Sequence, residues 1–359
     1  MTMTEQPEST SMGVVDMDAL IYEAPSVMTM HRIAVPVCGP KDVLVRVAYS
    51  GICGSELSGF LGQSSIRRPP LVFGHEVSGY VEAVGSEVEP VGACAIGTAV
   101  TVNPLVSCGD CTYCVTGRQQ LCAKRLLLGA SLPGCNAEFV RVPASGVLAV
   151  PSGLDITDAS MVEPAAFAMR AVELSGIKPT SSALVIGAGA IGLFLLQVLG
   201  EFGVKTRYVA EKNPARLKMA TDLGCIPIDP ADSSVSAVLR GETGGDGVDV
   251  AFDAVGSGST RRACLMSLTV GGTLVLVGLH SDETELPLNT VVRSEIKITG
   301  AFAYSVANFR NGLDWLASGR LGLKSGVVVA PLSAGPGWYQ RLVDGDPAAK
   351  VLLRPGGSA

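Results

Sequence analysis

Histidine is scarce in this chain. Three occur in 359 residues, His31, His75 and His280, so any imidazole in a site comes from that short set. Charge is thin as well: 17% of residues are charged against 47% hydrophobic, which excludes an intrinsically disordered chain. There is no Lys/Arg cluster. With a formal net charge of -6 and a pI near 5.2, a nucleic-acid partner is not expected. No secretory signal opens the sequence. Residues 1–16 are polar, lack an apolar core and read as a disordered tail. The one long apolar run, Ala183 to Gly200, could suggest a membrane span, but three regularly spaced glycines and Gln197 interrupt it, and no membrane partner is expected. Internal repeats are absent.

What is present is length, glycine and cysteine. The chain is long enough for two domains with separate cores. Its 43 glycines and 21 prolines imply many turns and close backbone approaches. Ten cysteines without a secretion signal point to a reducing cytoplasm, where clustered thiols bind metal more often than they pair. The strongest cluster is Cys108-Gly-Asp-Cys111-Thr-Tyr-Cys114 with Cys122. Four thiolates within fifteen residues can wrap one tetrahedral zinc, and a zinc closed by four sulfurs is structural. Two disulfides or unpaired thiols are the competing reading. The scattered Cys38, Cys94, Cys135, Cys225 and Cys264 read as core residues.

Up to about residue 150 the chain reads as short strands joined by Gly/Pro turns. Val43–Ala48, Val77–Val84, Ala99–Val102 and Ala137–Val142 are the clearer ones, and together they predict a partly closed all-β barrel. Cys53 and Ser55 sit two residues apart in a glycine-flanked turn after the first of these. A thiolate can ligate zinc and a hydroxyl can carry a proton, although a lone cysteine ending a strand is more often simply buried. Gly74-His75-Glu76 opens the next strand and offers an imidazole with a carboxylate beside it. Glu163-Pro164 lies within a helical stretch from Asp155 to Gly176. Glu163 is either a solvated helix end or a third ligand for an ion held by Cys53 and His75.

From Ala183 strands and helices alternate, as a parallel sheet requires. The strand Ala183–Ile186 runs into Gly187-Ala188-Gly189-Ala190-Ile191-Gly192, with a helix expected over Leu193–Phe202. This GxGxxG turn, in its strand–turn–helix context, fits a dinucleotide pyrophosphate. The next strand, Thr206–Ala210, ends at Glu211, nineteen residues past Gly192. An acidic side chain there binds both ribose hydroxyls and repels a 2′-phosphate. NAD is therefore favoured over NADP, while Lys212 and Arg216 nearby leave NADP possible. Further strands are expected over Val248–Phe252, Thr273–Gly278 and Lys297–Thr299. A helix over Ala307–Ser318 and a β-rich tail follow, the tail rejoining the first module.

Taken together these residues resemble the zinc-dependent medium-chain dehydrogenase/reductase family from about Met17 to the C-terminus. Gly51–Ser55, Gly74-His75-Glu76 with Gly79 and Gly85, the four-cysteine lobe, Glu163-Pro164 and Gly187–Gly192 carry the likeness. The Glu163-Pro164 pair resembles the polyol (sorbitol, galactitol-phosphate) branch. The resemblance implies an α/β protein: a GroES-like β-barrel catalytic domain over 17–157 and 303–359, with a structural zinc lobe at 105–123. A Rossmann doubly wound parallel-sheet domain is inserted over 158–302. It implies two Zn2+ per chain, Cys53, His75 and Glu163 holding the catalytic ion with Glu76 able to exchange as a ligand, and Cys108, Cys111, Cys114 and Cys122 holding the other. Gly187, Gly189, Ala190, Ile191, Gly192, Glu211, Lys212 and Arg216 would bind the cofactor, with Ile191, Glu211 and Arg216 facing its adenosine half. Val277-Gly278-Leu279 and Ala301-Phe302-Ala303 would line the nicotinamide.

The implied reaction is reversible NAD-linked oxidation of a secondary alcohol by a homodimer or homotetramer. Ser55 would take the alcohol proton and pass it on through the cofactor ribose. Two positions depart from the family pattern. Glu56 stands where an aspartate is common, and Ser58 stands where many members have a proton-relaying histidine, so the relay would run through Ser58 or water. Two alternatives remain: an amino-alcohol, aminocyclitol or biosynthetic ketone-reducing substrate on the same fold, or a non-catalytic nucleotide-binding protein with structural zinc only.

Overall fold

The fold was taken from a computed structural model that describes residues 16–230 and 234–356. The expected tail lies outside the described residues except for Asp16, which opens the strand Asp16–Ala24. That strand pairs with Val27–Ala34 and with Leu71–Val72 in a small antiparallel sheet.

The main sheet of the first module has seven strands. In order they are Val147–Ala149, Ala99–Val102, Glu76–Val84, Asp42–Gly51, Lys350–Arg354 and Val327–Pro331, with Phe139–Pro143 also pairing Asp42–Gly51. Alternation explains the central strand: Val43, Val45 and Val47 point into a core shared with Val77, Val81, Val100 and Val140, while Arg46 is exposed. The C-terminal strand Lys350–Arg354 joins this sheet beside Asp42–Gly51, so the chain's last segment closes the module that its first segment began. The tail is not only β: a helix, Gly335–Val343, intervenes. Its glycines and proline masked the helical period, and Tyr339 buries it against Phe60 and Phe73.

The second module is a six-stranded sheet in the order Ile226–Ile228, Thr206–Ala210, Ser182–Ile186, Val248–Asp253, Leu268–Leu276, Lys297–Gly300, every adjacent pair parallel. The order reverses between Ser182–Ile186 and Val248–Asp253, which puts a ligand crevice at their carboxyl ends. Near-continuous apolar runs such as Ala183-Leu184-Val185-Ile186 are buried on both faces, because helices cover both. The helix after the glycine turn begins at Ala190, three residues before the expected Leu193, since the turn's own residues enter it, and ends at Glu201. The helix Val306–Ala317 packs on Val162–Ser175, and its Phe309, Leu313 and Leu316 belong to the same core. The chain thus completes the nucleotide-binding module before returning to the first one.

Candidate active site and metal centres

The two modules face each other across a cavity of about 320 Å³. One wall carries Cys53, Ser55, Ser58, Arg67 and His75; the other carries Ile191, Val277, Gly278, Leu279, Ala301, Phe302 and Ala303, with Glu163 and Tyr304 between them.

Sheet register builds the first wall. Gly51 pairs with Glu76 across the central strands, and a β-carbon at Gly51 would run into the Glu76 carboxylate. Cys53 then caps the helix Gly54–Phe60, and His75 immediately precedes the partner strand. Gly74 has φ +103°, and a β-carbon there would meet the Asn136 backbone at 2.8 Å, so only glycine lets the chain turn His75 inward. Ligand atoms of Cys53, His75 and Glu76 lie within 4.8 Å of one another.

Glu163 stands outside this tightest group, with a hydrogen bond from Tyr304. Burial pushes its carboxyl up to about 7, against the pull of His75. Glu76 is claimed elsewhere: the Lys350 ammonium donates to its two oxygens at 2.8 and 2.5 Å and to the Ile52 carbonyl at 3.1 Å. Burial disfavours the Lys350 charge, yet Glu76 and Cys53 raise its pKa above the usual value. The site therefore gathers a thiol, an imidazole and two carboxylates around one buried ammonium. That donor set fits a divalent cation, which would compensate the remaining negative charge.

Three residues near the ligands, Glu56, Tyr339 and Lys350, were not assigned roles from sequence. Glu56 is fully buried and accepts from His75 Nδ1 at 2.6 Å, Gly74 N at 3.1 Å and Tyr339 Oη at 2.6 Å. This fixes the imidazole's orientation and leaves Nε2 for a metal, the usual outer partner of a ligating histidine. Desolvation opposes the Glu56 charge, but the adjacent His75 outweighs it and lowers the carboxyl. Tyr339 in turn accepts from Asn136 Nδ2 at 2.9 Å, and Ser50 donates to Asn136 Oδ1 at 2.5 Å. Glu56 was visible in the motif as a carboxylate next to Ser55. Tyr339 and Lys350 gave no signal, lying 283 and 274 residues away from their partners.

Ser55 Oγ donates to Cys53 Sγ at 3.4 Å and accepts from Arg67 at 3.1 Å. Ser58 lines the same cavity. Phe60 belongs to the core, while Ile66 and Arg67 reach the cavity.

The sulfurs of Cys108, Cys111, Cys114 and Cys122 lie within 4.8 Å of one another. Cys111–Cys114 and Cys108–Cys122 are each 3.5 Å apart, and Cys108–Cys114 3.8 Å. Disulfide sulfurs would stand about 2.05 Å apart, whereas a tetrahedron of zinc–sulfur bonds of about 2.3 Å sets sulfurs roughly 3.8 Å apart. The four thiols thus fit one closed tetrahedral ion. Of the cysteines read as core, Cys135, Cys225 and Cys264 are buried, but Cys38 and Cys94 are only half-buried. Cys38 sits at a loop edge, donating to the Asp42 carbonyl at 3.2 Å.

On the cofactor side Gly187 has φ +98°, and a β-carbon on Gly192 would collide with the Gly187 carbonyl. Nothing lies within 4 Å of a β-carbon built on Gly189, so the space over that glycine is free for a pyrophosphate. Glu211 accepts from Ala188 N at 2.7 Å and Asn213 N at 2.8 Å, which pins its carboxylate over the glycine turn. Lys212 is exposed beside it. Arg216, expected at the adenosine, is committed elsewhere. Its guanidinium donates to the carbonyls of Asp346, Pro347 and Ala348, because the chain's return loop passes directly over the helix Pro214–Asp222.

A Rossmann crevice opening onto a thiol–imidazole–carboxylate cluster defines a nicotinamide- and metal-dependent oxidoreductase. Comparison with known proteins gives the family. Residues 39–152 match the alcohol dehydrogenase GroES-like domain and residues 190–318 the zinc-binding dehydrogenase domain. The chain is 30% identical to sorbitol dehydrogenase of Bacillus subtilis over 85% of its length and 87% of that protein. It is 32% identical to L-idonate 5-dehydrogenase of Vitis vinifera over 80% of each. A zinc-binding dehydrogenase from Sinorhizobium meliloti, solved with NADP bound, superposes with a TM-score of 0.86 at 28% identity, covering 95% of this chain and 100% of that one. The chain belongs to the zinc-dependent medium-chain dehydrogenase/reductase family, in its polyol-dehydrogenase branch, and is an alcohol dehydrogenase in reaction class. Among the described residues no helix is long and apolar enough to cross a membrane.

Proposed function

We propose that the protein oxidises a secondary alcohol of a polyol or sugar derivative with NAD, reversibly. The observation that carries this reading is the meeting of Cys53, His75 and Glu163 with the nicotinamide-side residues Val277–Leu279 and Ala301–Ala303 in one cavity. Cys53, His75 and Glu163 hold the catalytic zinc. Glu163 is preferred to Glu76 because Lys350 already occupies both Glu76 oxygens. Zinc bound there supplies a Lewis acid for the alcohol oxygen. Glu56 holds the His75 ring, and Ser55 is placed to take the alcohol proton. Ser58 and water carry it outward where a relay histidine is lacking. The apolar wall of Val277, Ala301 and Phe302 keeps water from the hydride path.

The preference for NAD rests on Glu211, whose pinned carboxylate faces a ribose, and on Arg216 being drawn off to 346–348. The four-cysteine lobe holds the second zinc. Ten free thiols suit a reducing cytoplasm. The strand Lys297–Gly300 ends its sheet, with Ile298 and nearby Val292 exposed, which suits a homo-oligomer. Elemental analysis and NAD-reduction assays over a polyol panel test this. Two zinc ions are expected in the wild type and one in Cys53→Ser and Glu163→Ala, with at least a hundredfold loss of turnover in each. Full activity in either variant would sink the assignment.

A further inference from the structure

We infer that the substrate carries an oxyanion, a carboxylate or a phosphate, and that Arg67 in the pocket wall receives it. This rests on the alcohol dehydrogenase reading above and narrows its substrate class. Arg67 is only 5% exposed, yet it lines the cavity beside Ser55, Ser58 and Ile66. Its Nε donates to the Gly129 carbonyl at 3.1 Å. Its terminal nitrogens donate to the Ser55 carbonyl at 3.2 Å and Ser55 Oγ at 3.1 Å. All three acceptors are neutral. A guanidinium has five N–H donors, so two remain unused.

Arg67 takes part in none of the ion pairs among the described residues. The Arg67 charge helps to lower the Glu56 carboxyl, but the Glu56 oxygens are already engaged by His75, Gly74 and Tyr339. The remaining neighbour of Arg67 is the Phe73 ring, its centre 6.0 Å from the guanidinium carbon; a buried charge outside any ion pair is costly, and this one borders the cavity. The guanidinium fork matches carboxylate and phosphate oxygens in a paired geometry that a neutral hydroxyl cannot reproduce. The neighbouring wall, Ile66, Leu105 and Leu127, offers no competing acid.

Arg67 touches Ser55, the group placed against the reacting alcohol, so the oxyanion lies a few carbons from the carbon that is oxidised. A sugar acid or a polyol phosphate fits that spacing. The chemistry at the far end is unchanged: the carbinol loses a hydride to the nicotinamide and a proton to Ser55 and becomes a ketone, while the oxyanion is only held.

The test compares kcat/KM for hexonates, hexitols and hexitol phosphates as three panels, with the zinc-loaded wild type, Arg67→Lys and Arg67→Met. Arg67 also braces Ser55 and Gly129, so the readout is the ratio of charged to neutral substrates within one preparation, which cancels folding and metal content. The wild type should favour one charged panel by about 10- to 100-fold, the span of one or two charge-assisted hydrogen bonds. Arg67→Met should abolish that preference and Arg67→Lys retain part of it. Preference for the hexonates identifies a carboxylate, and preference for the hexitol phosphates a phosphate. A wild type that favours neutral hexitols, a preference that survives Arg67→Met, or an equal fall on all three panels overturns the assignment of Arg67 alone. No reduction of NAD or NADP with any panel overturns the dehydrogenase reading beneath it.

Discussion

The phenol of Tyr339 serves two buried polar groups at once, donating to Glu56 and accepting from Asn136. Tyr339→Phe leaves both short of a partner in a dry core, which should cost about 1–3 kcal/mol of stability in denaturant titration. It should also loosen the His75 ring and weaken zinc at the Cys53 site by about 10- to 100-fold, read by competition with a chromogenic chelator. The four-cysteine zinc should be unaffected in the same titration. Lys350→Met strands the Glu76 carboxylate without its cation. Breaking a buried pair in this way costs about 3–5 kcal/mol, enough to be seen as a large fall in thermal midpoint. Neither residue could be paired from sequence. A side chain's hydrogen-bond partner depends on which strands become neighbours, and Lys350 reaches Glu76 only because Lys350–Arg354 lies beside Asp42–Gly51.

At the level of elements, the glycine turn separates two roles. Gly192 lets the helix Ala190–Glu201 press against the Gly187 carbonyl, so Gly192→Ala should destabilise the module itself. Gly189 borders open space, so Gly189→Ala should leave the melting temperature unchanged and weaken NAD binding at least tenfold, measured by calorimetry. The reverse pattern would disprove that division. The turn was legible in the sequence because its meaning is local: strand, glycines and helix follow within one run. So were the four-cysteine lobe and the Gly74-His75-Glu76 strand opening. The helices Pro214–Asp222, Val235–Glu242 and Gly258–Met266 went unread. Each is short and only partly buried, so the apolar periodicity that would reveal it is weak. The helix Gly54–Phe60, inside what reads as a β module, is fixed by burying Glu56 and Phe60 rather than by its own propensity.

Across the whole molecule, the return of the chain's last segment couples the two modules. Arg216 on the nucleotide-binding side grips the carbonyls of residues 346–348, and Lys350, two residues on, enters the metal site. Arg125, just past the cysteine lobe, stacks on Phe302, 4.6 Å from the ring centre. Arg216→Ala removes three donors from one loop and should cost about 1–3 kcal/mol. In calorimetry the single unfolding peak should broaden or split as the modules uncouple. A peak unchanged in width and position would show that the loop contributes no coupling.

The sequence by itself determined the two modules, the cysteine cluster, the nucleotide turn and the family, because each is written in short-range spacing that few local geometries satisfy. Tertiary structure alone decided which carboxylate beside Cys53 and His75 is held by Lys350, that Arg216 turns from the cofactor side to the return loop, and that Arg67 borders the cavity. Those outcomes turn on competition for partners: Lys350 captures Glu76, the return loop captures Arg216, and Arg67 is left with a buried charge and two donors to spare.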